Sequence, residues 1–233
     1  MISAIIVAYN EESLIEGIIK ELNKQQFQGD YEIILANGGS EDNTVPLARE
    51  NNIKILNCRK GKSRQMNDAV KEAKGDVLFF VHADMQFSDQ VFSIIQKKVD
   101  EGYDGGGFSN EFDTHNEKIK KLGTWMNFRF FDKREQSDKG IFYGDNGIFV
   151  KKSAFETLEG FKEIPIMEDY DFSVRMKEQF KVIKIKEPKI IVSTRRHIKA
   201  GFLKTRFQWV MIRKLYKWGI SPERLAKWYS DIR

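Results

Sequence analysis

Residues 79–87 read FFVHADMQF: an apolar run that ends on an imidazole and a carboxylate, His82 and Asp84, with only Ala83 between them. Two residues apart on an extended chain, they share one face. Either a strand turns polar there, or nitrogen and oxygen donors are presented to a metal and a phosphate. Further along, PIMEDYDF places Glu168 and Asp169 side by side, with Asp171 two residues later and on another face if the segment is a helix. Acids at a helix start are common because the dipole favours them. Cations stand at Lys62 and Arg64, and again at Arg195, Arg196 and His197 in STRRH. Polar or turn-forming groups follow apolar runs at Ala8-Tyr9-Asn10-Glu11, at Asn37-Gly38-Gly39 and at Gly144-Asp145-Asn146.

The elements that must position these groups read as alternating strands and helices. ISAIIVAY (2–9) is apolar on both faces, as a strand buried on both sides must be. In EESLIEGIIKELNK, Leu14, Ile15, Ile18, Ile19 and Leu22 recur at helical spacing, with Asn10 expected as N-cap. YEIILAN (31–37), IKILNC (53–58) and DVLFFVHAD (76–84) read as strands. Between them lie a short helix near 43–51, with Pro46 in its first turn, and the helix SRQMNDAVKEAKG, with Gly75 expected as C-cap. The order βαβαβαβ implies parallel strands covered by helices, and ligands bind at the carboxyl edge of such sheets. Three polar clusters, at 8–10, 37–39 and 82–84, converge on that edge.

Beyond residue 102 the pattern changes. YDGGGFSNEF reads as a bulged or closely approached strand and NEKIKKLGTWMNFRFFDKR as a helix. GIFYGDNGIFVKK is a strand interrupted by glycines, 168–180 an acidic-headed helix, and FKVIKIK and KIIVST two short strands. From Gly201 the chain reads as helical and basic.

Composition excludes several classes. A single cysteine, Cys58, allows neither a disulfide framework nor a zinc cluster and suits a reducing compartment. The opening MISAIIVAYNEES lacks the basic n-region of a signal peptide, and no apolar run reaches the ~20 residues of a membrane span. The net charge of +5 is unevenly spread, because residues 181–233 hold 15 Lys and Arg against 3 acids. Such a block meets phosphates or anionic lipid, or simply forms a solvated face. No nucleic-acid-binding signature accompanies it, so nucleic acid is not an expected partner. In 201–233 the aromatic residues interleave with cations, as in a helix lying on an anionic membrane or a charged cover for the domain.

The order and spacing of VAYNEE, ANGGSEDNT, GKSRQMNDAVKEAKGDVLFFVHAD, GDNGIFVKK, PIMEDYDFSVRM and STRRH resemble a family 2 glycosyltransferase of the GT-A fold over about residues 2 to 200. The HAD, GDNGIF and MED segments are most similar to a bacterial subgroup known as selenodomain-associated transferases. The resemblance implies a Rossmann-like, mostly parallel sheet flanked by helices. It also implies a nucleotide-binding half over about 1–101, an acceptor half over about 102–200, and a helical basic extension at 201–233. It implies that Ala8, Tyr9, Asn10, Glu11, Asn37, Gly38, Lys62, Arg64, His82, Ala83, Arg195 and Arg196 face a nucleotide-sugar donor. Gly144, Asp145 and Asn146 would line the side of a hydroxyl acceptor (a glycan, a lipid or a small molecule). Asp84, with His197 and optionally His82, would hold a divalent manganese or magnesium ion. Asp169 would be the general base, supported by Glu168.

Two positions depart from the family pattern. Asn37 stands where an Asp usually accepts from uracil N3–H, and a neutral amide both accepts and donates. His82 replaces the first acid of Asp-x-Asp. The expectation is an inverting, metal-dependent transferase using a uridine diphosphate sugar, in the cytoplasm or at the inner face of the membrane. A sugar nucleotidyltransferase would need a Gly-rich, Arg-containing loop after the first strand, which AYNEES does not supply. A noncatalytic nucleotide-sugar binder on a membrane or partner stays open on the strength of Asn37 and His82.

Overall fold

A computed structural model describes residues 1–114, 141–193 and 202–229, with only the backbone described for Asp145, Phe202, Leu203 and Arg206. In chain order the elements are β1 (Ile2–Ala8), α1 (Ile15–Asn23), β2 (Tyr31–Asn37), α2 (Thr44–Glu50), β3 (Lys54–Asn57), α3 (Lys62–Glu72), β4 (Val77–His82), β5 (Met85–Gln86) and α4 (Val91–Asp100). There follow β6 (Gly105–Asp113), a 3₁₀ turn (Gly144–Asn146), β7 (Phe149–Lys151), α5 (Lys152–Thr157), α6 (Glu168–Gln179), β8 (Val182–Ser193), α7 (Phe202–Lys217) and α8 (Pro222–Trp228).

Every residue of β1 is buried, which explains why its sequence does not alternate. Its even-numbered residues pack with α1 and Phe92 on one side of the sheet. Ile5 and Val7 pack on the other side with Met66 and Val70 of α3. The strand order is β3-β2-β1-β4-β7-β6-β8-β5. The β1–β2, β2–β3, β1–β4 and β6–β8 pairs are parallel, whereas β7 runs antiparallel to β4 and β6, and β5 antiparallel to β8. This is the expected α/β class with a mostly parallel sheet between helices.

Several local expectations are corrected. Asn10 does not cap α1, which starts at Ile15 with Leu14 at its N-cap. Asn10 instead takes a left-handed φ of 54°, and its Oδ1 accepts from Glu41 N–H at 2.9 Å. Gly75 does not cap α3, which ends at Glu72 with Ala73 extended. Gly75 is required by proximity: a methyl there would lie 2.6 Å from Ser3 N. The fourth strand stops at His82, and Ala83-Asp84 form the turn into β5. The extended-chain argument for a shared His82/Asp84 face therefore does not hold. The two strands expected across 181–194 are one strand, β8, which passes Pro188 opposite a register shift between Phe108 and Asn110. A residue without an N–H is tolerated at such an irregularity. The helix expected over 116–134 lies outside the described residues.

Candidate active site at the carboxyl edge of the sheet

Three strands end together. The last pairs of the registers, Ala8↔Asn37 and Val7↔His82, put the ends of β2 and β4 on either side of the end of β1. The Gln65 amide, from α3, stitches this edge by donating to Ala8 O and Ala36 O, each at 2.8 Å. Ala8 and Ala83 are buried and present little surface to a ligand. Tyr9 is half-buried, and the Lys60 ammonium lies 3.9 Å from the centre of its ring. The turn after β1 is tied to the loop after β2: Asn10 N–H donates to Ser40 Oγ at 3.0 Å and Glu11 N–H to Thr44 Oγ1 at 2.8 Å. Asn37 is buried; its Oδ1 accepts from Ser40 N–H at 2.9 Å and its Nδ2 donates to Asn57 Oδ1 at 3.1 Å. Gly38 leaves room for Gln65, since a methyl there would lie 2.8 Å from Gln65 Cδ.

The second half contributes through Gly144. Its N–H donates to Asp169 Oδ2 at 2.6 Å. A methyl on Gly144 would lie 2.6 Å from His82 Nε2 and 3.5 Å from Asp169 Oδ2. The end of β4, the 3₁₀ turn and the head of α6 thus meet at one glycine. Asp169 Oδ1 accepts from Tyr170 N–H at 2.6 Å. Asp169 keeps an accessible edge amid dense protein. Burial first, and the Glu168 carboxylate second, push its carboxyl up to about 6, against the opposing pull of Gly144 N–H, the Lys62 ammonium and Tyr170 N–H. Glu168 is itself buried.

Asp171 is a different kind of acid. It pairs with Lys162 at 2.6 Å and Arg175 at 2.7 Å and accepts from Tyr216 OH at 3.2 Å. Burial alone would raise its pKa, but these two cations outweigh it and hold the carboxyl below the usual range. Arg64 is tied to Glu163 at 3.1 Å, and Arg59 reaches the same acid at 2.7 Å. The expected acceptor-side residue Asn146 is a structural amide: it accepts from Tyr143 N–H at 2.8 Å and donates to Phe108 O at 2.9 Å. Asp145 is described only by its backbone, and Arg195, Arg196 and His197 lie outside the described residues.

Sequence reasoning missed Gln65, Asn57, Lys60 and Glu163. Lys60 carried a faint signal, since it flanks Gly61 and Lys62 at the head of a helix. The other three act through pairings made only by the fold.

No group of three or more His, Cys, Asp or Glu among the described residues could by itself enclose a metal ion. The donor chemistry fits another mode of binding. A single hard carboxylate, Asp84, stands in the turn beyond β4, and magnesium-type ions are commonly held by one or two carboxylates plus substrate phosphates.

Residues 3–159 match the family model for "Glycosyl transferase family 2". The chain belongs to that family. It is 28% identical over 212 residues to the poly(ribitol-phosphate) beta-glucosyltransferase of Bacillus spizizenii, covering 86% of this chain and 28% of that protein. Across the first curated relatives, the matches span between 23% and 35% of those proteins' lengths. Among solved structures, the mannosyltransferase PcManGT from Pyrobaculum calidifontis, in complex with GDP-Man and Mn2+, superposes with a TM-score of 0.71 at 16% identity. That superposition covers 95% of this chain and 66% of that one. S. aureus TarS 1-349 in complex with UDP-GlcNAc gives 0.65 at 16% identity, over 83% and 58%. The fold is therefore GT-A-like.

Proposed function

We propose that the chain is an inverting glycosyltransferase that moves a sugar from a nucleoside diphosphate, preferentially uridine diphosphate, to an acceptor hydroxyl. The observation that carries this reading is the meeting of His82, Gly144 and Asp169, with the Asp169 carboxyl raised to about 6. A carboxylate of that basicity is ionised at neutral pH yet takes a proton readily. Asp169 removes the acceptor proton as the acceptor oxygen bonds to the anomeric carbon. The bond from that carbon to the diphosphate oxygen breaks, and the diphosphate leaves with the electron pair. One displacement with one base inverts the centre. Gly144 N–H and Tyr170 N–H fix the orientation of the base, and Glu168 keeps it basic.

Donor binding is assigned to the strand edge. Tyr9 packs on the base with the ring face opposite Lys60, Asn10 and Glu11 hold the turn that receives it, and Lys62, whose charge reaches Asp169, is assigned to the diphosphate. Asp84 would hold a divalent manganese or magnesium ion together with the diphosphate, where the ion would offset charge on the leaving group. Binding of UDP-GlcNAc by TarS and of GDP-Man with Mn2+ by PcManGT supports a nucleotide-sugar donor. The VHAD, GDNGIF and IMED segments support placing the chain in the selenodomain-associated subgroup.

The test is Asp169→Asn, assayed for transfer and for donor binding by calorimetry. Transfer should fall by about 10³-fold or more, with donor affinity within about threefold of the unmodified chain. Retained turnover would remove Asp169 as base.

A further inference from the structure

Exposed large apolar side chains are few among the described residues: Met1, Phe207, Trp218 and Trp228. Three of the four sit on the C-terminal helix pair, at 69%, 75% and 61% exposure for Phe207, Trp218 and Trp228. Phe207 and Trp218 are eleven residues apart, one within α7 and one just past its end. Eleven residues make about three turns, so both point the same way, roughly 16 Å apart along the axis. Lys214 falls on the same line, within about 40° of both, and Lys204 and Lys217 flank it. All three lysines are exposed. The opposite face carries the buried Thr205 and Ile212. On α8, Arg224, Lys227 and Trp228 are exposed while Leu225 is fully buried. Gln208 Nε2 donates to Trp228 O at 2.8 Å, so Trp228 is anchored beside the turn that carries Phe207. From 202 to 229 the chain has seven Lys and Arg and one acid, Glu223.

We propose that the outer face of α7, with the end of α8, is a docking surface for an anionic phospholipid bilayer. Each feature has a counterpart there. Aromatic side chains enter the boundary between headgroups and acyl chains, and cations meet the negative surface. Lysine stems lie along the apolar zone with their ammonium groups in the headgroup layer. No helix of the described residues is long and apolar enough to span a membrane, and the contact proposed for this face is a peripheral one. A nucleic-acid strand fits less well. It needs a groove that tracks the backbone with a run of stacking platforms, and this face is a convex rod whose two aromatic tips stand three turns apart. Vesicle binding by this face requires no donor and is independent of transfer.

The experiment is co-sedimentation of the full chain with phosphatidylcholine vesicles, with and without phosphatidylglycerol. Binding is expected only with phosphatidylglycerol and should weaken as salt is raised. Phe207→Ser with Trp218→Ser should lower vesicle affinity by about tenfold or more, and Lys204→Glu with Lys214→Glu by a similar factor. All four positions are exposed, so the melting temperature should not change. The proposal is overturned by absence of vesicle binding, or by vesicle binding that both double variants retain. It is equally overturned if single-stranded RNA displaces the vesicles, or if the variants instead abolish a homodimer.

Discussion

At the scale of single residues, Asp169 trades stability for basicity. Its carboxyl is raised from an ordinary 3.8 to about 6, chiefly by burial and then by Glu168. Below pH ~4 the group is protonated in both folded and unfolded chains, and its relative contribution is fully present. As pH rises through about 6 the folded chain must ionise a group that it disfavours, and the stability is lost. A shift of this size corresponds to at most about 3 kcal/mol. Asp169→Asn removes the charge but keeps one acceptor oxygen for Gly144 N–H or Tyr170 N–H. It is expected to raise unfolding free energy at pH 7.5 by about 1–2 kcal/mol, and to show little or no gain at pH 4. Denaturant titrations at the two pH values check this; equal effects at both would show that ionisation is not the cause. Transfer by the unmodified chain should fall on the acid side with a midpoint near pH 6.

At the scale of elements, close approach of backbones fixes the second half of the sheet. Gly105, Gly106 and Gly107 open β6 where it is wedged between β7 and β8. A methyl on Gly105 would lie 2.9 Å from Phe149 O, one on Gly107 would lie 2.7 Å from Phe142 Cδ1, and one on Gly106 would collide with Ile183 O. A backbone carbonyl in a ladder cannot rotate away. Gly106→Ala should therefore destabilise the chain by about 3 kcal/mol or more, read as a fall in the denaturant midpoint at constant slope. An unchanged midpoint would mean that β6 and β8 separate readily. This crowding was legible, because three successive glycines inside a strand pattern mark a bulge or a close approach of backbones. The βαβ half was legible for the same kind of reason: β2 matches its expected span, and β1, β3 and β4 differ by one or two residues at their ends. The true start of α1 was not legible. Asn10 is a good cap by type, and only the arrival of Ser40 and Glu41 from the next loop diverts it. In the site, the placement of His82 beside the ends of β1 and β2 followed from strand order, whereas nothing in the local pattern of 168–180 brought Asp169 to the same edge. The loss of Asn146 to Phe108 O and the tether of Arg64 by Glu163 depend on long-range pairs that local pattern cannot carry.

At the scale of the whole molecule, the basic C-terminal helices are fastened to the helix that carries the proposed base. Ile212 of α7 and Leu225 of α8 are buried in one apolar cluster with Ile166, Met167 and Tyr170, which surround the head of α6. Polar bonds reinforce the junction: Arg213 donates to Tyr143 OH at 3.1 Å, and Tyr216 OH donates to Asp171 at 3.2 Å. The inner face was hard to read from sequence because aromatic residues occur on two opposite faces of α7, and only contact with α6 divides buried from exposed. We infer that the helix pair unfolds with the domain as one cooperative unit, although its composition sets it apart. Ile212→Ala empties a site that is 2% exposed and should cost about 2–4 kcal/mol. If the unit is single, circular dichroism and tryptophan fluorescence, three of whose four emitters (Trp209, Trp218 and Trp228) lie on or at the end of the helix pair, will report one transition, shifted to lower temperature by the same amount. An early fluorescence transition followed by an unshifted loss of secondary structure would mean that the helices melt separately. The head of α6 would then owe its position to Gly144, Lys162 and Arg175 and to the burial of Phe172, without the C-terminal helices.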